Sequence, residues 1–144
     1  MKILVVNGAN LNMLGTREPH IYGTNSLSEL ESNLLACASE KGVQLDFFQS
    51  NSEGEIINKI HGAYGNADAI IINAGAYSHY SYAIRDALSA VAIPAVEVHI
   101  SNVYKREEFR HNSVIAPVCC GTITGLGMYG YVAALNYLCD NTKI

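Results

Sequence analysis

The feature that most constrains this chain is a set of short runs whose apolar residues fall at consecutive rather than alternate positions. Residues 3–6 read Ile-Leu-Val-Val, residues 69–72 read Ala-Ile-Ile-Ile, and residues 94–100 read Pro-Ala-Val-Glu-Val-His-Ile. A strand with one wet face alternates, whereas a strand apolar at nearly every position is covered on both faces. Such strands belong to parallel sheets flanked by helices. Residues 45–48 and 121–124 complete five expected strands. Between the first two, Leu27, Leu30, Leu34, Leu35 and Ala38 form a stripe at helical spacing, opened by Ser26 with Glu29 three residues on and closed by Gly42. That is a capping box, an amphipathic helix and a glycine stop. Further helices are expected over residues 52–64, 82–91 and 129–138. The last is apolar nearly all round, as a helix buried in a core or against another subunit would be.

Strands alternating with helices indicate an α/β protein, most simply a flavodoxin-like, doubly wound, five-stranded parallel sheet with helices on both faces. At 144 residues the chain is expected to be a single domain over residues 1–144. Its 49% hydrophobic content excludes disorder. Only 15% of residues are charged, against about 25% in ordinary domains, which leads us to expect a homo-oligomer. A net charge of −4 with no run of lysines or arginines gives no footprint for nucleic acid or anionic lipid. No apolar run approaches the roughly 18 residues of a membrane span, and the first strand is too short for a signal-peptide core. Cys37, Cys119, Cys120 and Cys139 form no C-x-x-C pair. They are expected to be buried free thiols of a protein in a reducing cytoplasm.

In a doubly wound sheet the ligand sits beyond the carboxyl ends of the strands. Here those rims are rich in amides, histidines and arginines. Residues 7–23 form a long connection by the usual standard of about two to six residues. Residues 73–81 follow the third strand. His99, Ile100, Ser101 and Asn102 follow the fourth and lead into Lys105, Arg106, Arg110 and His111. The G-x-G-x-x-G spacing of Gly125, Gly127 and Gly130 is read as close strand-to-helix packing, because the chain has no following strand with an acidic residue to hold a ribose. A phosphorylated receiver module would need carboxylates at the sheet edge for Mg²⁺, where this chain has Asn7, Asn73 and His99. The histidines lack metal-ligand spacing, so no metal site is expected. His20, His61 and His111 are taken as surface or structural, while His79 and His99 each follow a buried strand and point to the crevice. Tyr22 shares its loop with Arg17. A phenol with an ordinary pKa of about 10 is a poor base at neutral pH, and adjacent guanidinium groups favour phenolate. Arg17 and Arg110 are the candidate cations.

Together these segments resemble the type II 3-dehydroquinate dehydratases, from residue 2 to about 138. Residues 7–23 are similar to that family's N-G-P-N-L-N-x-L-G-x-R-E-P-x-x-Y-G signature, with Ala9 where proline is usual. Residues 73–81 are similar to N-x-G-A-Y-T-H-T-S, with Ser78 and Tyr80 in place of the threonines. Residues 97–102 match outright, as do Arg106, Glu107, Phe109, Arg110, His111 and Ser113, and the Gly125-Leu126-Gly127 run.

The resemblance implies reversible loss of water from 3-dehydroquinate to 3-dehydroshikimate, in the shikimate pathway or in quinate breakdown, without a cofactor. It implies Tyr22 as base beside Arg17, Asn10 stabilising the enolate oxygen through a bound water, and His99 as acid oriented by Glu97. It places the substrate carboxylate on the Ile100 and Ser101 backbone N–H groups, and the ring hydroxyls on Asn73, His79 and Arg110. It further implies trimers assembled into dodecamers, with Asp86 reaching a neighbouring subunit's site. The long loop, from Leu14 to Tyr22, is expected to act as a lid. Two other classes fit the fold: a flavodoxin-like binding module for FMN or a nucleotide, and a noncatalytic oligomeric scaffold.

Overall fold

Strands β1 (Lys2–Asn7), β2 (Gln44–Gln49), β3 (Ala69–Asn73), β4 (Ala95–His99) and β5 (Gly121–Thr124) make one parallel sheet. Its order in this computed structural model, which describes residues 1–16 and 18–142, is β2-β1-β3-β4-β5. The helices are α1 (Pro19–Tyr22), α2 (Leu27–Glu40), α3 (Glu53–Gly62), α4 (Tyr82–Val91) and α5 (Tyr129–Asn141). This is the flavodoxin-like arrangement expected from the alternation of strands and helices.

Side chains alternate across a strand, so the consecutive apolar residues of β1 feed two cores. Ile3 and Val5 pack with Leu30 and Leu34 of α2 and with Tyr131, Leu135 and Leu138 of α5. Leu4 and Val6 pack on the other face with Ile56 and Ile60 of α3 and Ile84 and Leu88 of α4. All five residues of β3 and of β4 are buried, whereas β2 and β5, at the sheet edges, are only partly covered. Each fully buried Ile or Leu contributes about 1.5–3 kcal/mol relative to exposure.

The predicted capping box is present: the Glu29 N–H donates to Ser26 Oγ at 3.2 Å and the Ser26 N–H donates to Glu29 Oε2 at 2.7 Å. The helix expected over 52–64 stops at Gly62, where a turn containing Gly65 at φ 72° redirects the chain. Gly130 sets α5 against the sheet, since a Cβ there would lie 3.2 Å from Val98 and 3.4 Å from Ile123. The strand-to-helix packing expected of all three glycines holds for Gly130 alone: Gly125 and Gly127, at φ 86° and 59°, serve the turn between β5 and α5, and a Cβ on Gly127 would meet nothing within 4 Å. The cysteines are a correction. All four are free thiols, yet Cys120 is exposed and Cys37, Cys119 and Cys139 are half-buried. Cys119 and Cys120 lead into the edge strand β5, which among the described residues has no neighbouring strand on its outer side.

The fold carries the functional side chains to one edge. Parallel register sets Asn7 opposite Asn73 and His99 opposite Thr124 at the carboxyl ends. Behind them the first residues after β1 and β3 touch backbone to backbone: a Cβ on Gly8 would lie 2.4 Å from the Ala74 carbonyl oxygen, and one on Gly75, at φ 61°, 2.8 Å from that of Ala9. Only glycine fits this floor.

Candidate active site

A cavity opens at the carboxyl edge of the sheet, over the ends of β1, β3 and β4. Of the residues expected at the site, Asn10, Tyr22, Asn73, His79, His99, Ile100, Ser101 and Arg110 all line it. Glu97 lies behind the wall, fully buried beneath His99. Asp86 is exposed on α4 and does not line its own chain's cavity. Arg17 lies outside the described residues.

His99 is the last residue of β4, so its backbone is held by the ladder and its ring is only 7% exposed. Its Nε2 is 2.6 Å from Glu97 Oε1. A carboxylate accepts, so Nε2 carries the proton of that bond and Nδ1 is the nitrogen left for a molecule in the cavity. A buried carboxylate needs further donors. Ser113 Oγ lies 2.8 and 3.0 Å from the two Glu97 oxygens, and Thr122 Oγ1 donates to Oε2 at 3.2 Å. Sequence reasoning matched Ser113 to the family pattern without a role and missed Thr122, because they come from distant segments that only the folded sheet brings to Glu97.

His79 stacks on His99 with ring centroids 5.9 Å apart and an interplanar angle of 17°. Its Nδ1 lies 2.9 Å from the Asn112 carbonyl oxygen and must therefore be the protonated nitrogen. Burial lowers the His79 pKa, and the nearby His99 and Arg110 charges lower it further, against the opposing pull of the Asn112 bond and Glu97. The shift favours the neutral ring, in which Nε2 is the acceptor. Tyr80, which follows it, turns away: its ring sits 5.8 Å from that of Tyr77, exposed and outside the cavity lining.

Tyr22 ends the short helix α1, a turn inside the long loop that the apolar pattern did not signal. Pro19 at its start and Glu18 in the left-handed region at φ 42° shape that turn. The Tyr22 hydroxyl accepts a short hydrogen bond from Arg106 Nη1, and the Arg106 guanidinium lies 5.0 Å from the centre of the same ring. Here the expectation needs correcting. Arg110 is not the cation beside Tyr22: its Nε donates to Glu107 Oε2 at 2.8 Å and its guanidinium covers Phe109. Residues 103–105 and 108–111 form two 3₁₀ turns with Arg106 between them, and this reversal sends the two arginines to different partners. Sequence had marked Arg106 as part of a polar stretch without assigning it a role.

Asn10 sits in the left-handed region at φ 69°, a conformation asparagine tolerates. Its N–H donates to Asn51 Oδ1 at 2.9 Å, and the Tyr77 hydroxyl donates to the Asn51 carbonyl at 2.7 Å. Asn51 is therefore a further residue organising the rim. Ser101 is held from below, its carbonyl accepting from Thr124 Oγ1 at 3.0 Å. The cavity thus combines a phenol touching a guanidinium, an imidazole backed by a buried carboxylate, and several amides, a set suited to proton transfer around a polar, oxygen-rich molecule.

The family model described as Dehydroquinase class II matches residues 1–139. The chain belongs to the class II dehydroquinase family. Among similar proteins, the catabolic 3-dehydroquinase 2 of Neosartorya fischeri is 58% identical over 135 residues, covering 94% of this chain and 90% of that relative. The 3-dehydroquinate dehydratase of Campylobacter jejuni is 58% identical over 146 residues, covering 99% and 92%. The crystal structure of the type II dehydroquinase from Butyrivibrio crossotus aligns with a TM-score of 0.94 at 54% identity, over 96% of this chain and 97% of that one. A dehydroquinase fold thus extends over nearly all of the chain, and among its described residues no helix is long and apolar enough to cross a membrane.

Proposed function

We propose that this dehydroquinase removes water from 3-dehydroquinate to give 3-dehydroshikimate, with Tyr22 as base and His99 as acid. One observation carries this assignment: a single cavity is lined both by a phenol touching a guanidinium and by an imidazole backed by a buried carboxylate. The proton to be lost is α to a ketone. Its removal leaves an electron pair that delocalises onto the ketone oxygen, so the reaction needs a base, a stabiliser for that oxygen and an acid for the departing hydroxyl.

Tyr22 takes the proton as a phenolate, with the Arg106 guanidinium against its oxygen offsetting the negative charge; Arg17 is proposed as a second cation of the same loop. Asn10 stabilises the enolate oxygen through a bound water. The enolate then expels the hydroxyl, which leaves as water with the Nδ1 proton of His99 acting as imidazolium, while Glu97 accepts from Nε2–H and keeps the ring in one orientation. The substrate carboxylate rests on the Ile100 and Ser101 N–H groups, and Asn73, His79 and Arg110 orient the ring hydroxyls. Net, one C–H and one C–O bond break while one C=C bond and one O–H bond of water form, and the proton gained by Tyr22 and lost by His99 is exchanged through solvent to reset the site.

The product is a conjugated enone, so adding 3-dehydroquinate and following ultraviolet absorbance tests the assignment directly. Failure of that absorbance to grow with stoichiometric protein removes it. Assembly into a homo-oligomer, with Asp86 of one subunit serving a neighbour's site, is supported by the exposure of Asp86 and of Tyr80, Tyr82, Tyr104, Phe109, Tyr129 and Tyr137. A monomer by sedimentation at micromolar concentration counts against it.

A further inference from the structure

Beneath the cavity runs a hydrogen-bonded chain of which only Asn73 has a part in the proposed binding. The Gly75 backbone N–H can only donate, and it lies 3.1 Å from Asn73 Oδ1, which identifies the oxygen of that side chain. Asn73 Nδ2 then donates to Tyr131 Oη at 2.9 Å. The Tyr131 hydroxyl, having accepted, passes its own proton to Asn7 Oδ1 at 2.6 Å. All three bonds run in one direction, an arrangement in which each bond polarises the next. Asn7 and Tyr131 are fully buried, and Asn73 is 4% exposed where it meets the cavity. The chain ends on Asn7 Nδ2, which is buried with no partner among the described residues.

An orphan donor in a core costs stability, as does a phenol hydroxyl in a helix face that packing alone would fill with phenylalanine. Burial pushes the Tyr131 phenol above its ordinary range, against the smaller opposing effect of the Asn73 bond, so it stays protonated and keeps donating to Asn7. Asn73 carries two Nδ2 protons. With one Nδ2 proton committed to Tyr131 and the oxygen already accepting from Gly75, the second Nδ2 proton is the donor it has left for the cavity.

We infer that Tyr131 is a positioning residue, fixing the Asn73 amide so that this point of the cavity offers a donor and selects a substrate oxygen acceptor. The inference rests on the proposed function for the identity of that oxygen, and on the three bonds for the lock itself. It involves ground-state binding and not proton transfer, so its loss should appear in KM.

Tyr131→Phe removes only the hydroxyl. With 3-dehydroquinate, KM should rise about three- to tenfold, the equivalent of one net hydrogen bond, while kcat stays within about twofold. In ¹⁵N-labelled parent protein one Asn73 side-chain proton should exchange slowly with solvent, and that protection should vanish in Tyr131→Phe. Unchanged KM, or a fall in kcat alone, overturns the inference. Rapid exchange of both Asn73 protons in the parent overturns it even should the variant not fold. A parent that does not turn over 3-dehydroquinate removes the function, while the exchange measurement still decides the lock.

Discussion

The two sides of the cavity are built differently. His99 sits at the end of an interior strand, its partner Glu97 two residues earlier on the same face, both almost wholly buried, with Glu97 in turn held by Ser113 and Thr122. Tyr22 comes from a loop, half-exposed on a single helical turn, and its contact with Arg106 joins two excursions of the chain 84 residues apart. The difference teaches where rigidity is affordable. On the proposed function, an acid that must meet a leaving hydroxyl at one place can be part of the sheet, whereas a base on a loop leaves room for substrate to enter.

The largest effect that can break the comparison is on the loop side. Tyr22→Phe keeps the ring and deletes the ionisable oxygen, so turnover should fall about 10²–10⁴-fold while the urea unfolding midpoint barely moves. Near-parental turnover in this variant would falsify the base assignment. His99→Ala, on the strand side, should stop loss of the hydroxyl yet leave exchange of the substrate's α-hydrogen with solvent deuterium. Equal loss of exchange and dehydration would merge the two sides into one step.

A stability contrast should follow. Glu97→Gln puts a donor where His99, Ser113 and Thr122 all present donors, and should cost about 1–3 kcal/mol in urea unfolding, in contrast to Tyr22→Phe. Equal stability of the two variants would show that the strand side is not the more rigid. Smaller still is the lid effect: trypsin cleavage at Arg17 should slow severalfold when a substrate-like acid is added, and equal rates with and without ligand argue for a fixed loop.

The smallest effect concerns His79, whose folded-state pKa is lowered by burial and its charged neighbours. The unfolded chain therefore takes up that proton more readily than the folded protein. The resulting contribution to stability is complete above the unfolded value of about 6.5 and is lost as pH falls from there through the lowered folded value. His79→Gln should lose less stability than the parent between pH 7.5 and pH 5.5, and identical losses would exclude His79 as the source.

Sequence alone determined the layers of this protein. Runs such as Ala69-Ile70-Ile71-Ile72 can satisfy both faces only inside a parallel sheet, and Ser26 with Glu29 carries its own helix start, because burial periodicity and capping are local properties. The rim segments were legible for the same reason, and strand position drew His79 and His99 to the crevice, whereas Asn10, Asn73, Ile100 and Ser101 took their places from the family resemblance. What only tertiary structure decided is which long side chain meets which. Arg106 and Arg110 are four residues apart, and spacing could not tell which would reach Tyr22; the reversal between two 3₁₀ turns did. Tyr131 read as one more apolar position of a buried helix until the fold set its hydroxyl between Asn7 and Asn73, 124 and 58 residues away. Hydrogen bonds are short and directional, so partners distant in sequence are chosen only when the packed layers bring them within about 3 Å.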